Sequence, residues 1–317
     1  MAQPVSYLLA IETSTKVASV ALAGTATGVT TGIATGISIL AEFTTDIRKT
    51  HSQRLLPMVD RVLAEAGLRP ADLGAVACTT GPGSFTGLRL GLATVKGLAF
   101  ALKIPAFGVP TLDALANNLG ILEPEAPPLA AELVCPVLDA RKGQVYAAVY
   151  VQMPEPGAPS TGAPAQNGII RRGPWALSPE ELVEKLLEFS PMDSSDIAGD
   201  IIGPHRRPGK ELMLLGDGTS PPAGAWPLIE KAFGSRVRLA PPWLRYPRAA
   251  SVAALAARQW SAAVSRVAAV SGATAASGAG SGATGAGLAG DLDELQPVYL
   301  RPSEAEVMLA KKRELVP

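Results

Sequence analysis

The order of apolar runs constrains this chain most strongly, because the same series of strands and helices occurs twice. Three strand patterns, a helix, a strand, a helix and a strand fill residues 7–109, and the series returns between residues 132 and 240. Alternating strand and helix patterns are typical of α/β proteins. A chain of 317 residues is also more naturally two domains than one. The sequence therefore predicts two α/β lobes with mixed sheets and a β-β-β-α-β-α-β order.

The predicted elements follow from periodicity and turn residues. The first copy has strands at 7–12, 18–23, 36–43, 75–79 and 106–109 and helices at 55–66 and 86–102. The second has strands at 132–140, 144–152, 168–177, 211–216 and 236–240, helices at 179–189 and 226–233, and a closing helix at 249–264. Ser178 and Glu181 form a capping-box pattern. This order is similar to that of ribonuclease-H-like lobes in the actin, Hsp70 and sugar-kinase superfamily, which implies a bilobed molecule with a cleft.

Domain boundaries are predicted from the same pattern and from composition. A strand, a proline and a helix cap coincide near residues 109–111, so 1–110 is the expected N-terminal lobe and 111–270 the C-terminal lobe. Stretches rich in small and turn residues are expected as insertions, at 23–36, 152–168 and 190–210. Residues 271–290 are nearly pure Gly, Ala, Ser and Thr and predict a linker, which leaves 291–317 as a tail.

Charge and cysteine content exclude some classes of partner. With 28 basic and 28 acidic residues the chain has no global positive field for nucleic acid or an anionic membrane. The N-terminus lacks a basic segment before its short apolar run, and the apolar run after Thr86 contains Arg89 and Lys96, so we expect a cytoplasmic protein without a membrane span. Cys78 and Cys135 lie in apolar runs and predict buried, reduced thiols, with a redox or metal role as the alternative.

The stretch "TTGPGSFTGLRLGLATVKGLA", residues 79–99, resembles a phosphate-binding loop only at first. It lacks GxxxxGK[ST], because Gly87 is followed by Leu88 and Arg89, and it lacks GxGxxG, because Thr86 stands where the third glycine is needed. Free N–H groups at the helix start leave anion binding open as an alternative. Packing is the interpretation that we favour, because three glycines inside one helix cost about 3 kcal/mol and need an offset.

The two helices of the first lobe carry more apolar surface than one packed face requires. Gly87, Gly91, Thr94 and Ala101 fall near one face of the second helix, which can accept either an internal neighbour or another subunit. In the first helix, Leu56, Met58 and Val62 broaden the stripe formed by Leu55, Val59, Leu63 and Ala66. Pro57 is tolerated if that helix begins near Leu55. A helix-on-helix interface with another protein is therefore a hypothesis.

Candidate catalytic groups are few. His51 and His205 are the two histidines, and the sequence contains no HxxxH, HExxH or GxSxG pattern, which argues against a metal site or a serine hydrolase. Glu12 and Asp139 end equivalent strands and are acid–base candidates. Thr13–Ser14 and Ala140–Arg141 follow them, where the actin-like superfamily usually has a glycine-containing turn at the phosphates. We therefore favour carboxylates that cap turns. "LLGDGTS", residues 214–220, is a weak signal for an adenosine loop.

Several segments together resemble the TsaB family: "LLAIETSTKVASVAL", "HSQRLLPMVDRVL", "GPGSFTGLRLGLATVKGLAFALKIPAFGVPTLDALA", "VLDARKGQVYAAVY", "LLGDG" and "PVYLR". The resemblance implies a non-catalytic subunit of the bacterial system that makes threonylcarbamoyladenosine in tRNA. It would bind and activate the transferase TsaD, be joined by the ATPase TsaE, and form a homodimer when alone.

The resemblance also implies where nucleotide, metal and partner bind. It expects no cofactor in this chain, with ATP or ADP and metal in the partner subunits, and contact with tRNA through the complex. Matched to the family's helices, the expected partner interface consists of eight residues: Leu55, Met58, Val59, Val62, Gly91, Thr94, Val95 and Leu98. A residual actin-like ATPase or a glycoprotease-type peptidase is the alternative. The low-complexity insertions depart from the family.

Overall fold

A computed structural model describes residues 5–26, 37–46, 51–123, 133–153, 168–189, 211–220, 224–271 and 292–301. The described residues form two compact units. The first comprises described residues up to Ala114 and from Pro247 onward, and the second runs from Leu115 to Tyr246. Each unit has one five-stranded mixed sheet.

The first sheet has the order β3-β2-β1-β4-β5. Its strands are β1 (Val5–Glu12), β2 (Ala18–Ala26), β3 (Ile37–Thr45), β4 (Leu73–Gly81) and β5 (Ala106–Pro110). The central strand β1 runs antiparallel to β2 and parallel to β4. Its residues alternate between two apolar layers, with Leu9 and Ile11 in one core cluster and Leu8 and Ala10 in another. Both faces of the sheet are therefore covered, which explains the unbroken apolar run of the strand.

Helices cover the two faces of the first sheet. α1 (His51–Glu65) and α2 (Phe85–Leu102) share the core cluster that contains Leu9 and Ile11. The opposite face packs on α6 (Ala249–Ser271), through a row of small and branched side chains: Ala249, Val252, Ala253, Ala256 and Ala257. The short helix α3 (Thr111–Ala116) follows β5.

The second sheet repeats the topology of the first, with the order β10-β9-β6-β7-β8. Its strands are β6 (Leu133–Arg141), β7 (Gln144–Met153), β8 (Gly168–Leu177), β9 (Leu212–Leu215) and β10 (Val237–Leu239). α4 (Pro179–Phe189) and α5 (Ala225–Phe233) pack on it through Leu182, Leu186, Ile229 and Phe233. The capping box of α4 is confirmed, because Ser178 and Glu181 exchange hydrogen bonds of 2.7 and 3.2 Å. The predicted fold class and repeat are thus confirmed.

The closing helix differs from the prediction, which assigned residues 111–270 to the second lobe. α6 instead packs on β1, β2 and β4 of the first unit. Ala249 donates its N–H to Ser19 Oγ at 3.2 Å, and Arg248 pairs with Glu42 on β3. Within the predicted tail 291–317, residues 292–301 also belong to the first unit, where Leu292 and Leu295 pack against its core. Residues that follow the second lobe in the sequence therefore complete the first lobe.

Two local predictions also differ from the structure. The insertion predicted at 23–36 begins later, because Ala23–Ala26 continues β2 in register with β1. α1 begins at His51, so Pro57 lies inside the helix rather than in its first turn. The predicted insertions at 152–168, 190–210 and 271–290 lie outside the described residues, apart from the ends of β7, β8 and α6.

Candidate functional site

Glu12 at the end of β1 is a turn-capping residue. Its carboxylate is fully buried, and Oε1 accepts hydrogen bonds from the backbone N–H of Ser14 at 2.7 Å, from the Ser14 hydroxyl and from the Thr79 hydroxyl at 3.2 Å. These donors fix the turn between β1 and β2. The expectation that Glu12 caps a turn is confirmed.

Asp139 has the equivalent position in the second unit and the same local role. Its Oδ1 accepts the backbone N–H of Arg141 at 2.7 Å, and its Oδ2 lies 3.3 Å from the Arg141 guanidinium. Asp217 in turn accepts the N–H of Asp139 at 3.1 Å. Arg141 and Lys142 adopt positive φ angles of 66° and 54° in the tight turn that leads into β7. Asp139 therefore also caps a turn, as expected.

The glycine-rich stretch packs directly on the β1–β2 turn. Ser84 donates its N–H to the carbonyl of Ser14 at 2.6 Å, and the Thr13 hydroxyl donates to the carbonyl of Gly87 at 2.8 Å. A Cβ at Gly87 would overlap the Thr13 carbonyl oxygen, and one at Gly91 would lie 2.5 Å from Thr13 Oγ1. Gly87 and Gly91 therefore accept an internal neighbour, the backbone and side chain of Thr13.

The anion-binding alternative depends on whether the β1–β2 turn is accessible. Thr13 and Ser14 are buried, at 1% and 2% exposure, beneath the first turns of α2. At the start of that helix, Ser84 Oγ accepts the N–H of Gly87 at 3.3 Å. The side chains and backbone of this lobe thus occupy the strand end at which an actin-like lobe would approach phosphate.

Most of the predicted partner interface lies in the core of the first unit. Six of its residues are buried there: Leu55, Met58, Val59, Val62, Gly91 and Val95. A partner cannot reach them in the folded lobe, because the sheet and the two helices pack them against each other. Thr94 and Leu98 are half-buried, so their contact with a partner stays a prediction. This set of residues is corrected accordingly.

The exposed stripe of α2 is the surface that the sequence analysis missed. It consists of six exposed positions along one side of the helix, which follow each other at steps of three or four residues except for the last two: Phe85, Arg89, Ala93, Gly97, Phe100 and Ala101. Phe100 is 80% exposed, and a Cβ at Gly97 would contact nothing within 4 Å. On α1, Leu56 is 56% exposed. The signal in the sequence was the spacing of Ala93, Gly97 and Ala101, which lie four residues apart.

α2 is also the one described helix that is long and apolar enough, by length and composition, to cross a membrane. Its other side carries Leu88, Leu92, Val95 and Ala99, which are buried against the rest of the first unit. A core helix of a soluble protein also meets this criterion of length and composition. This packing supports the interpretation of α2 as a core helix with one uncovered side.

The thiol groups are buried, as predicted. Burial raises the pKa of Cys78 to about 12, with Lys96 acting in the opposite direction and Glu12 in the same one. Burial also raises the pKa of Cys135. Within the described ranges, His, Cys, Asp and Glu side chains form no group of three that could hold a metal. His205 and the side chain of His51 lie outside what the structure describes.

The chain is similar to proteins of threonylcarbamoyladenosine biosynthesis. A family model described as "TsaD: tRNA N6-adenosine threonylcarbamoyltransferase" matches residues 38–162. Over 143 residues the chain is 35% identical to the tRNA threonylcarbamoyladenosine biosynthesis protein TsaB of Bacillus subtilis and 38% identical to that of Escherichia coli. Each match covers 45% of this chain and 54% of the relative.

The similarity to a solved structure extends over more of the chain. YeaZ from Pseudomonas aeruginosa is 25% identical, with a TM-score of 0.52, and the match covers 93% of this chain and all of that one. In the sequence matches, by contrast, the chain spans about half the length of the curated relatives. The fold, the motifs and these relatives agree that the chain is similar to TsaB proteins.

Proposed function

We propose that this chain is the non-catalytic subunit that binds and activates the threonylcarbamoyltransferase TsaD in the bacterial tRNA-modification complex. The observation that carries the proposal is the exposed stripe of α2, in a chain whose relatives are named as TsaB. In the part of the chain that the structure describes, most of this side of an otherwise core helix is exposed, although the helix is among the most apolar elements. A partner helix that packs there would bury apolar surface that is now exposed.

The geometry of the stripe suits a close helix partner. Ala93, Gly97 and Ala101 follow each other at four-residue spacing, which is a rise of about 6 Å per step along the axis. Small side chains let a second helix approach to the short end of the usual 8–10 Å axial separation. Phe100 at the end of the stripe supplies a large apolar anchor of the kind that dominates interface energies. The half-buried Thr94 and Leu98 flank this line.

The strand ends support a subunit without its own nucleotide chemistry. Glu12 and Asp139 are engaged as turn caps, and α2 covers the turn after Glu12. In this proposal ATP or ADP and metal bind to the partner subunits, TsaE joins the pair, and tRNA is reached through the complex. The same α2 surface would support a homodimer when TsaD is absent. The proposed compartment is the cytoplasm, where the tRNA substrate is modified.

The test places a charge on the stripe without touching the core. Ala93→Glu should abolish co-elution with TsaD, because it buries a carboxylate against the partner helix, and should leave the melting temperature unchanged because residue 93 is exposed. Ala262→Glu makes the same change at an exposed position of α6 and is the matched control. Normal binding by Ala93→Glu would show that the partner uses another surface.

The alternative is an actin-like ATPase or a peptidase, and activity assays separate it from the proposal. The purified protein should show no nucleotide hydrolysis or peptide cleavage above background. A turnover that disappears in Glu12→Ala or Asp139→Ala would favour the enzyme and contradict the subunit role. Assay of tRNA modification with TsaD, TsaE and this chain would then measure activation directly.

A further inference from the structure

The C-terminal segment Leu292–Arg301, here called the strap, is the feature that the proposed function leaves unexplained. It contains the "PVYLR" residues, and it follows the low-complexity stretch 271–290 in the sequence. The structure places it on the first unit, at the ends of β4 and β5 and beside the start of α2.

The strap packs closely on the ends of β4 and β5, where the sheet has glycines. Val298 donates its N–H to the carbonyl of Thr80 at 2.7 Å, and Thr80 is the residue of β4 that the register shift between Thr79 and Gly81 leaves without a partner residue in β5. A Cβ at Gly108 would lie 2.7 Å from Leu295 Cδ1, and one at Gly81 would overlap the Val298 carbonyl oxygen. A side chain at Gly81 would therefore displace the backbone of the strap, whereas one at Gly108 would first meet the Thr80 methyl group, at 2.5 Å, and then the Leu295 side chain. Leu292 and Leu295 pack against the core cluster that includes α1 and α2.

The strap also contacts the first turns of α2. The Tyr299 ring lies 4.9 Å from the ring of Phe85, centroid to centroid. Arg89 donates from Nε to the Tyr299 hydroxyl at 3.0 Å, while its guanidinium carbon lies 3.9 Å from the centre of the Phe85 ring. Phe85 and Arg89 are the first two members of the exposed stripe of α2. The strap thus ties the end of β4 to the beginning of the helix face that the proposed function uses.

The contacts of the strap are weak enough to break while the lobe stays folded. Val298 and Tyr299 are 47% and 38% exposed, and Leu292 and Leu295 are only partly buried. The interaction with Phe85 and Arg89 involves exposed side chains, whose contacts contribute modestly to stability. Losing the strap would leave the buried core of the lobe in place and would change mainly the surroundings of the first turns of α2.

We propose that the strap is a latch that fixes the first turns of α2 in the geometry the partner recognises, with Val298 and Tyr299 as its positioning residues. The part of this inference that concerns partner affinity rests on the proposed function. The part that concerns α2 itself does not, because it follows from contacts within one unit. Release of the strap is then a means of weakening the complex without unfolding the subunit.

The test uses the full chain with Val298→Pro, which removes the N–H donated to Thr80, and Val298→Ala as the control that keeps it. Hydrogen exchange should rise about tenfold for the strap amides and for residues 84–89 in Val298→Pro, which corresponds to the loss of one hydrogen bond. Affinity for TsaD, measured by calorimetry, should fall by a similar factor. Denaturant unfolding should show the core intact in both variants.

A second pair of variants tests the link to α2. Tyr299→Ala should raise exchange at residues 84–89 and weaken TsaD binding, and Tyr299→Phe, which keeps the ring on Phe85, should restore most of both. Unchanged α2 exchange while the strap is released would overturn the proposal, as would a strap that stays protected in Val298→Pro. If TsaD fails to bind even the unaltered chain, the proposed function is wrong, and the exchange data still decide whether the strap holds α2.

Discussion

The glycines on the two sides of α2 lie in opposite environments. On the inner side, Gly87 and Gly91 have no side chain because Thr13 occupies the space where a Cβ would lie. On the outer side, Gly97 has open space around it, and its exposure gives the isolated lobe no reason to prefer glycine over alanine. Folding therefore accounts for the inner glycines, and the partner helix of the proposed function would account for the outer one.

Gly87→Val tests the inner side of α2 and should have the largest effect on stability. The new side chain would collide with the backbone carbonyl of Thr13, which the β1–β2 turn holds in place, so relief requires movement of α2. We expect a loss of more than about 3 kcal/mol in the free energy of unfolding. Urea denaturation followed by circular dichroism measures it.

Gly97→Val is the matched control, because it introduces the same side chain ten residues later on the same helix. Its side chain would enter open space, so the unfolding free energy should stay within about 0.5 kcal/mol of the original or rise. Equal losses in the two variants would mean that helix propensity, rather than contact with Thr13, explains the inner glycines.

The turns after β1 and β6 extend the comparison to the two units. Glu12→Ala leaves the buried donors of Ser14 and Thr79 without their acceptor, and we expect a cost of about 2 kcal/mol. Asp139→Ala removes a cap from a turn whose Arg141 partner is exposed, and its cost should be about 1 kcal/mol or less. Thermal unfolding of both variants gives the order, and a larger loss for Asp139→Ala would contradict it.

The sequence predicted the repeated elements because periodicity and turn residues are local properties. It also predicted the roles of Glu12 and Asp139, since a carboxylate followed by small or turn-forming residues at a strand end favours capping. The placement of α6 could not be predicted in this way. Its Ala and Val stripe would suit either sheet, and the choice of the first sheet depends on contacts between residues more than 200 positions apart.

The interface residues were misplaced for a related reason. Apolar surplus on α1 and α2 was interpreted as surface for a partner, but in the fold the two helices and the sheet cover that surplus jointly. Leu55 and Val95 are buried by neighbours that are distant in sequence, which periodicity within one helix cannot identify. The exposed line through Ala93 and Gly97 is less apolar than the buried side, so hydrophobicity alone directed attention to the buried side.

Gly97→Ala is the smallest of these changes and tests whether the fold or a partner requires the glycine on the outer side of α2. In the isolated protein it should raise the unfolding free energy by up to about 1 kcal/mol, because alanine is the better helix former and the added methyl group meets nothing. In the complex the same methyl group should hold the partner helix away and lower its affinity. A stability gain with unchanged affinity for TsaD would place the partner elsewhere, whereas opposite changes in the two measurements would show that this glycine is kept for the partner at the expense of the fold.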